Sequence, residues 1–76
     1  MHAYMDSDEL KKAIAARIAS VLREKGWSNN QLGREAGLQK SYISSVMTGS
    51  ANLTLESIAK LENALQTPII RIFKAK

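Results

Sequence analysis

The amino-acid sequence of residues 29–48 is NNQLGREAGLQKSYISSVMT, and the spacing of its glycine and apolar residues decides the predicted fold. Gly33 is small enough to let two short helices cross closely, and Gly37 supplies the left-handed conformation of a tight turn. Ile43 and Val46 follow at a spacing that buries both on one face of the second helix. The stretch therefore predicts two short helices that pack on each other across a turn.

Capping residues define the predicted ends of these two helices. Ser28, with a glutamine three residues later, is the signature of a capping box, and Leu32 with Ala36 supplies the buried face of the first helix. We predict the second helix over residues 40–48, because Gly49 then ends it. The outer face of this helix is polar and consists mostly of short side chains.

Two further helices are predicted on either side of this pair. One begins with Ser7 as its N-cap and ends at Gly26, and the other begins after the N-cap Thr54. The apolar residues at helical spacing in the first are Leu10, Ile14, Ile18, Val21 and Leu22. Those in the other are Leu55, Ile58, Leu61 and Leu65. Both stripes predict amphipathic helices that close one small core.

A fifth element is predicted near the C-terminus. Thr67 followed by Pro68 suits the start of a short helix, although the β-branched residues of segment 69–73 are also compatible with a strand. We favour the helix, so the predicted fold class is all-α with five helices.

The composition of the chain restricts its architecture and its chemistry. Its 76 residues allow one domain, which we place at residues 8–76 after a flexible N-terminal leader at residues 1–7. The chain has no cysteine, and His2 is its one histidine. Neither a phosphate-cradling glycine loop nor a converging pair of carboxylates is apparent. We therefore expect no enzyme activity, no bound metal and no cofactor.

The charge of the chain permits a polyanionic partner without requiring one. The formal net charge is +4 and the sequence pI is about 9.7. The basic residues are spread evenly along the chain. This distribution favours binding to a specific site over charge-driven binding to nucleic acid of any sequence. Because no apolar run is long enough for a membrane span and no signal peptide is apparent, we expect a cytoplasmic protein.

Four parts of the sequence resemble the phage-repressor and Cro-like helix-turn-helix family, also called XRE-like. They are RIASVLREKGWS at 17–28, QLGREAGLQKSYIS at 31–44, the glycine at 49 and NLTLESIAKLENAL at 52–65. The resemblance runs without a gap from about residue 13 to residue 73. It implies a five-helix bundle of the lambda-repressor-like type, double-stranded DNA as the partner and, in many members, a homodimer on a palindromic operator. It implies a transcriptional repressor and not an enzyme.

The same resemblance assigns candidate DNA-binding residues. Those matching the base-reading positions are Lys40, Ser41, Ser44 and Ser45. Those suited to contacts with the DNA backbone are Asn29, Gln39, Tyr42, Thr48, Ser50 and Asn52. Lys40 is the strongest candidate, because a lysine donates to the O6 and N7 acceptors of guanine in the major groove. An ordinary solvated helix face is the alternative for the residues of the first group.

The sequence departs from the family at one pair of positions. Many members pair an arginine near the end of helix one with a glutamate near the end of helix three, and Leu22 and Met47 stand at the matching positions here. We expect these two side chains to touch, because packed apolar residues often replace a partly buried ion pair without loss of stability.

The C-terminal segment carries more large apolar residues than a small core can cover. These residues are Ile69, Ile70, Ile72 and Phe73. We expect them to form a two-fold dimer seam, because reading a palindrome requires a dimer. One alternative is an antitoxin, in which the segment would bind a toxin protein. Another is a protein-interaction module that has lost DNA binding.

Overall fold

The computed structural model describes residues 6–69, and this part of the chain is all-helical. Its helices are α1 Ser7–Lys25, α2 Asn29–Ala36, α3 Lys40–Thr48 and α4 Leu55–Leu65. Helix α1 packs against α3, and α2 packs against both α3 and α4. Within residues 6–69 no helix is long and apolar enough to cross a bilayer.

The N-cap of α1 is Asp6, so the prediction of Ser7 is wrong by one residue. The Glu9 amide donates to Asp6 Oδ1 at 2.8 Å, and the Asp6 amide donates to Glu9 Oε1 at 3.1 Å. This reciprocal capping box satisfies two amides at once, which a hydroxyl at Ser7 would not do at this register. Residues 1–5, the rest of the predicted leader, lie outside the described residues.

The predicted N-caps of α2 and α4 are confirmed. Ser28 Oγ accepts from the Gln31 amide at 3.1 Å, and Thr54 Oγ1 accepts from the Ser57 amide at 3.0 Å. The capping box predicted for α2 is only half formed, because the Gln31 side chain donates forward to Glu35 Oε2 at 3.1 Å. The helix starts are therefore set by short polar side chains that satisfy amides of the first turn.

The helices share one apolar core, largely as the sequence predicts. Its buried residues are Ile14, Ile18, Val21, Leu22, Leu32, Ala36, Ile43, Val46, Ala51, Leu61 and Leu65. They come from all four helices and from the loop before α4. Burial of these side chains is the main force that holds the short helices α2 and α3 in place, because helices of this length are marginal alone.

Two leucines that were predicted to face the core are exposed. Leu55 is 81% exposed and Leu10 is 42% exposed. At about 100° per residue, Leu55 lies about 120° around α4 from the fully buried Leu61. Leu10 lies on the apolar stripe of α1 but beyond the end of α3, since Gly49 meets α1 at Lys12.

The predicted fifth helix is not supported, because residues 67–69 are not helical. Gln66 ends α4 in the left-handed region at φ 53°, and the Thr67 hydroxyl donates back to the Leu65 carbonyl at 3.0 Å. The Ile69 amide donates to Glu62 Oε2 at 2.8 Å. Thr67 therefore closes α4 instead of capping a new helix. Residues 70–76 lie outside the described residues.

Candidate nucleic-acid interface

A close crossing of α2 and α3 positions the candidate site. The Leu38 amide donates to the Gly33 carbonyl at 3.0 Å, and a Cβ at Gly33 would lie 3.0 Å from the Leu38 carbonyl oxygen and 3.5 Å from Ile43 Cγ1. Gly37 has φ 69°, in the region that glycine adopts without strain. The two glycines therefore act as predicted, one in the crossing and one in the turn.

Helix α3 buries one face and presents the other to solvent. Ile43 and Val46 are buried, whereas the polar residues of the opposite face are exposed or, at Ser45, half-buried. These polar residues are Lys40, Ser41, Ser44, Ser45 and Thr48. Together they span about 140° of the helix surface at about 100° per residue. The structure thus brings the four base-reading candidates onto one face.

This polar face carries no carboxylate. Helix α3 has no acidic residue in its sequence, and within residues 6–69 no ion pair joins Lys40 to a carboxylate. Arg34, which sequence reasoning did not select, lines a surface depression between α2 and α3 together with Gln39 and Lys40. Arg34 and Lys40 therefore place two positive charges beside this depression, as suits a phosphate-facing surface.

The end of α3 is organised around the carbonyl oxygen of Ser45. This oxygen accepts from the Ser50 amide at 3.0 Å, the Ala51 amide at 3.2 Å and the Thr48 hydroxyl at 3.1 Å. The Thr48 and Ser50 hydroxyl oxygens lie 3.0 Å apart. Both side chains are exposed, and their hydroxyl hydrogens are at least partly used inside the protein. Each would have to rotate to donate to a phosphate.

Two backbone-contact candidates lie at helix N-termini. Asn29 is the first residue of α2, and Gln39 is the N-cap of α3; both are exposed. The Gln39 side chain makes no capping hydrogen bond, so the amides of the first turn of α3 have no side-chain cap. Helix N-termini with available amides favour anions, because the helix dipole adds to the hydrogen bonds.

The last two backbone-contact candidates meet each other through the loop after α3. Tyr42 Oη donates to the Asn52 carbonyl oxygen at 3.4 Å, and Lys11 Nζ donates to Asn52 Oδ1 at 3.3 Å. Lys11 belongs to α1 and was not selected from the sequence. It lies 41 positions from Asn52, and no local pattern signals a contact over that separation.

Leu22 and Met47, which we predict to touch, lie in the same region of the surface. Leu22 is buried and Met47 is half-buried, and both line one surface depression beside Trp27 and Asn29. Direct contact between these two side chains stays a prediction. At the other end of the chain, Ile69 is half-buried and packs on the core, while Ile70, Ile72 and Phe73 lie outside the described residues.

With this geometry in place, the class of the protein follows from its relatives. The sequence model of the helix-turn-helix family matches residues 11–72. The chain belongs to this family, in the phage-repressor and Cro-like branch that its motifs resemble.

Two curated proteins illustrate the relationship. A hypothetical transcription factor of Neisseria meningitidis serogroup B is 33% identical over 60 residues, which cover 79% of this chain and 57% of that protein. Control protein C.SmaI of Serratia marcescens is 30% identical over 64 residues, covering 84% of this chain and 76% of that protein. The chain thus spans little more than half the length of the Neisseria protein.

Solved structures show the same fold. The crystal structure of the wild-type restriction-modification controller protein C.Esp1396I is similar with a TM-score of 0.73 and 28% identity, covering 76% of this chain and 74% of that one. The crystal structure of the hypothetical transcription factor NHTF from Neisseria is similar with a TM-score of 0.76 and 29% identity, covering 91% and 79% of the two chains.

Proposed function

We propose that the protein is a sequence-specific, double-stranded DNA-binding transcriptional regulator. The observation that carries the proposal is the polar, carboxylate-free face of α3, held outward by a glycine crossing and a buried Ile43 and Val46. Such a face fits the major groove of DNA, and family membership supports the same function. The domain placed at residues 8–76 would also include Asp6 and Ser7, which begin α1. The protein would repress by occupying its operator, without a cofactor or a catalytic residue.

The candidate residues divide into two roles. Lys40 and the serines of the same face would read base edges, because their side chains point away from the core. The backbone-contact residues would fix the register of α3 on the duplex, which carries little sequence information. Arg34 joins this second group, since it lines the depression beside Lys40.

We expect Lys40→Ala to weaken binding to the preferred site by about 1–3 kcal/mol and to relax the base preference at one position of each half-site. Lys40 is exposed, and within residues 6–69 its side chain forms no ion pair that the change would break, so the thermal melt should stay the same. The measurement is competition binding against a pool of randomised duplexes, which tests the base-reading role directly.

Asn29→Ala is the matched comparison at the other edge of the interface. It should weaken binding to all duplexes by nearly the same factor, because a phosphate contact is blind to sequence. An equal loss across sequences for both variants would contradict the proposed division into base-reading and backbone residues. A wild-type protein that recovers no preferred sequence from the pool would contradict the proposed function itself.

We also propose a homodimer, because a two-fold protein matches a palindromic operator. The apolar residues from Ile69 to Phe73 are the proposed seam. Light scattering of the wild-type chain, alone and with a duplex selected from the pool, should show two chains per duplex. One chain per duplex at every concentration would exclude the dimer.

The relatives favour regulation over the antitoxin alternative. C.SmaI is named a control protein, and C.Esp1396I is named a restriction-modification controller. A comparable controller role is the narrower form of the proposed function. A genomic footprint of the protein tests it, because the bound promoters would then lie beside restriction or modification genes. Bound promoters elsewhere would contradict the controller role, and the broader function of a transcriptional regulator would stand.

A further inference from the structure

The contact between α1 and the loop after α3 has a defined chemistry. Lys11 Nζ lies 3.3 Å from Asn52 Oδ1, and an ammonium group only donates hydrogen bonds. The amide oxygen of Asn52 must therefore face Lys11, and its Nδ2 group must face away. Tyr42 Oη holds the backbone carbonyl of the same asparagine at 3.4 Å. Lys11 thus orients the side-chain amide of Asn52, and Tyr42 holds the backbone of the same residue.

This arrangement leaves donors at the surface. Asn52 is exposed and Lys11 is half-buried, so the aliphatic stem of the lysine packs on the protein while its ammonium group reaches solvent. Nζ has hydrogens beyond the one given to Asn52, and Nδ2 has two. Within the described part of the chain, no carboxylate forms an ion pair with Lys11. Among residues 6–69, a cation and an oriented amide therefore lie side by side with no carboxylate paired to the cation.

The Lys11–Asn52 pair lies beside the polar face of α3. Tyr42 lies about 60° around α3 from Ser45, at the border of the polar face. The loop that carries Asn52 begins at the end of α3, where the Ser50 amide bonds the Ser45 carbonyl. Asn29 lies at the opposite border, beside Met47. The Lys11–Asn52 pair thus flanks the polar face on the side away from the N-terminus of α2.

We propose that Lys11 is a DNA-contact residue, and that its ammonium group and Asn52 Nδ2 bind one backbone phosphate at this flank. The inference rests on the proposed DNA-binding function and adds a residue from α1 to it. Lysine is a point-charge phosphate binder, and an amide at its side adds a directed hydrogen bond. The Lys11–Asn52 pair and Asn29 would then hold the duplex on both sides of α3.

The salt dependence of binding tests the proposal. Each phosphate contact contributes about 0.9 to the slope of log affinity against log salt concentration. We expect Lys11→Met to lower the slope by about 1 per protomer, whereas Lys11→Arg keeps it. Between about 50 and about 200 mM salt, the affinity of the methionine variant should therefore fall about 3.5-fold less than that of the wild type. The loss should be the same on a duplex selected from a random pool and on a shuffled duplex.

Lys60→Met is the control, because it removes the same charge from an exposed position on α4, where Lys60 forms only a solvent-exposed ion pair with Glu56 at 3.6 Å. Its slope should equal the wild-type slope. In a double-mutant cycle, Lys11→Met combined with Asn52→Ala should lose less affinity than the product of the two single losses, because the residues share one phosphate. Thermal melts of all variants confirm that each is folded.

The outcomes separate the two proposals. If Lys11→Met and Lys60→Met show the same slope, or the cycle is additive, the role of Lys11 is overturned while sequence-specific binding stands. If the wild type does not distinguish the selected duplex from the shuffled one, the proposed function fails. In that case the salt slope on the shuffled duplex still supports or overturns the proposed phosphate contact of Lys11.

Discussion

Leu61→Ala should lower the free energy of unfolding by about 2–5 kcal/mol, whereas Leu55→Ala should change it by less than about 0.5 kcal/mol. Both leucines lie on α4, and both were predicted to face the core. Leu61 is fully buried, so its truncation removes apolar burial and leaves a cavity among α2 and α4 side chains. Leu55 is 81% exposed and has little burial to lose.

Urea denaturation followed by circular dichroism measures both changes under the same conditions. A domain of this size is stable by roughly 5–15 kcal/mol at most, so Leu61→Ala should shift the midpoint strongly. Comparable losses for the two variants would mean that Leu55 is covered in solution, for example by a second chain. In that case the Leu55→Ala loss should depend on protein concentration.

The fold was predictable where one residue decides one local structure. Gly37 adopts the left-handed conformation of the turn without strain. Ser28 and Thr54 cap the helices that follow them. Ile43 and Val46 define the inner face of α3. These are short-range effects that operate within one helical turn. They were sufficient to predict the positions of α2 and α3.

The errors arose where distant or competing groups decide the structure. Asp6 and Ser7 are both good N-caps, and the reach of Glu9 back to Asp6 selects the first. The predicted fifth helix depended on Thr67 as a cap, but its hydroxyl bonds the Leu65 carbonyl. The choice between these partners depends on how the chain leaves α4, which no local pattern encodes.

In the candidate site, too, some features follow from the local sequence and others do not. The serines and Lys40 could be assigned to one face because the helical period alone places them there. The bonds of Thr48 and Ser50 to the Ser45 carbonyl depend on how the chain leaves α3. The bond of Lys11 to Asn52 is a tertiary contact over 41 positions. The roles of these residues on DNA remain predictions.

Leu22→Arg should be the most damaging single change near the interface, with a loss of about 3–5 kcal/mol in the free energy of unfolding. Leu22 is 5% exposed, and Met47 beside it offers the new guanidinium group no acceptor. The arginine would therefore be a buried, unpaired charge. Met47→Glu alone should cost about 0.5–3 kcal/mol, since Met47 is only half-buried.

The double variant should recover part of this loss, because arginine and glutamate at these positions restore the ion pair that many family members carry. We expect a favourable coupling of about 0.5–3 kcal/mol in a double-mutant cycle of unfolding free energies. The restored arginine lies beside Asn29, in the depression that both positions line, and so adds a cation at a predicted phosphate-contact edge. The double variant should therefore also bind DNA with a steeper salt dependence than the wild type. If the two losses in unfolding free energy simply add, the side chains do not meet, and α1 does not align with the family as inferred.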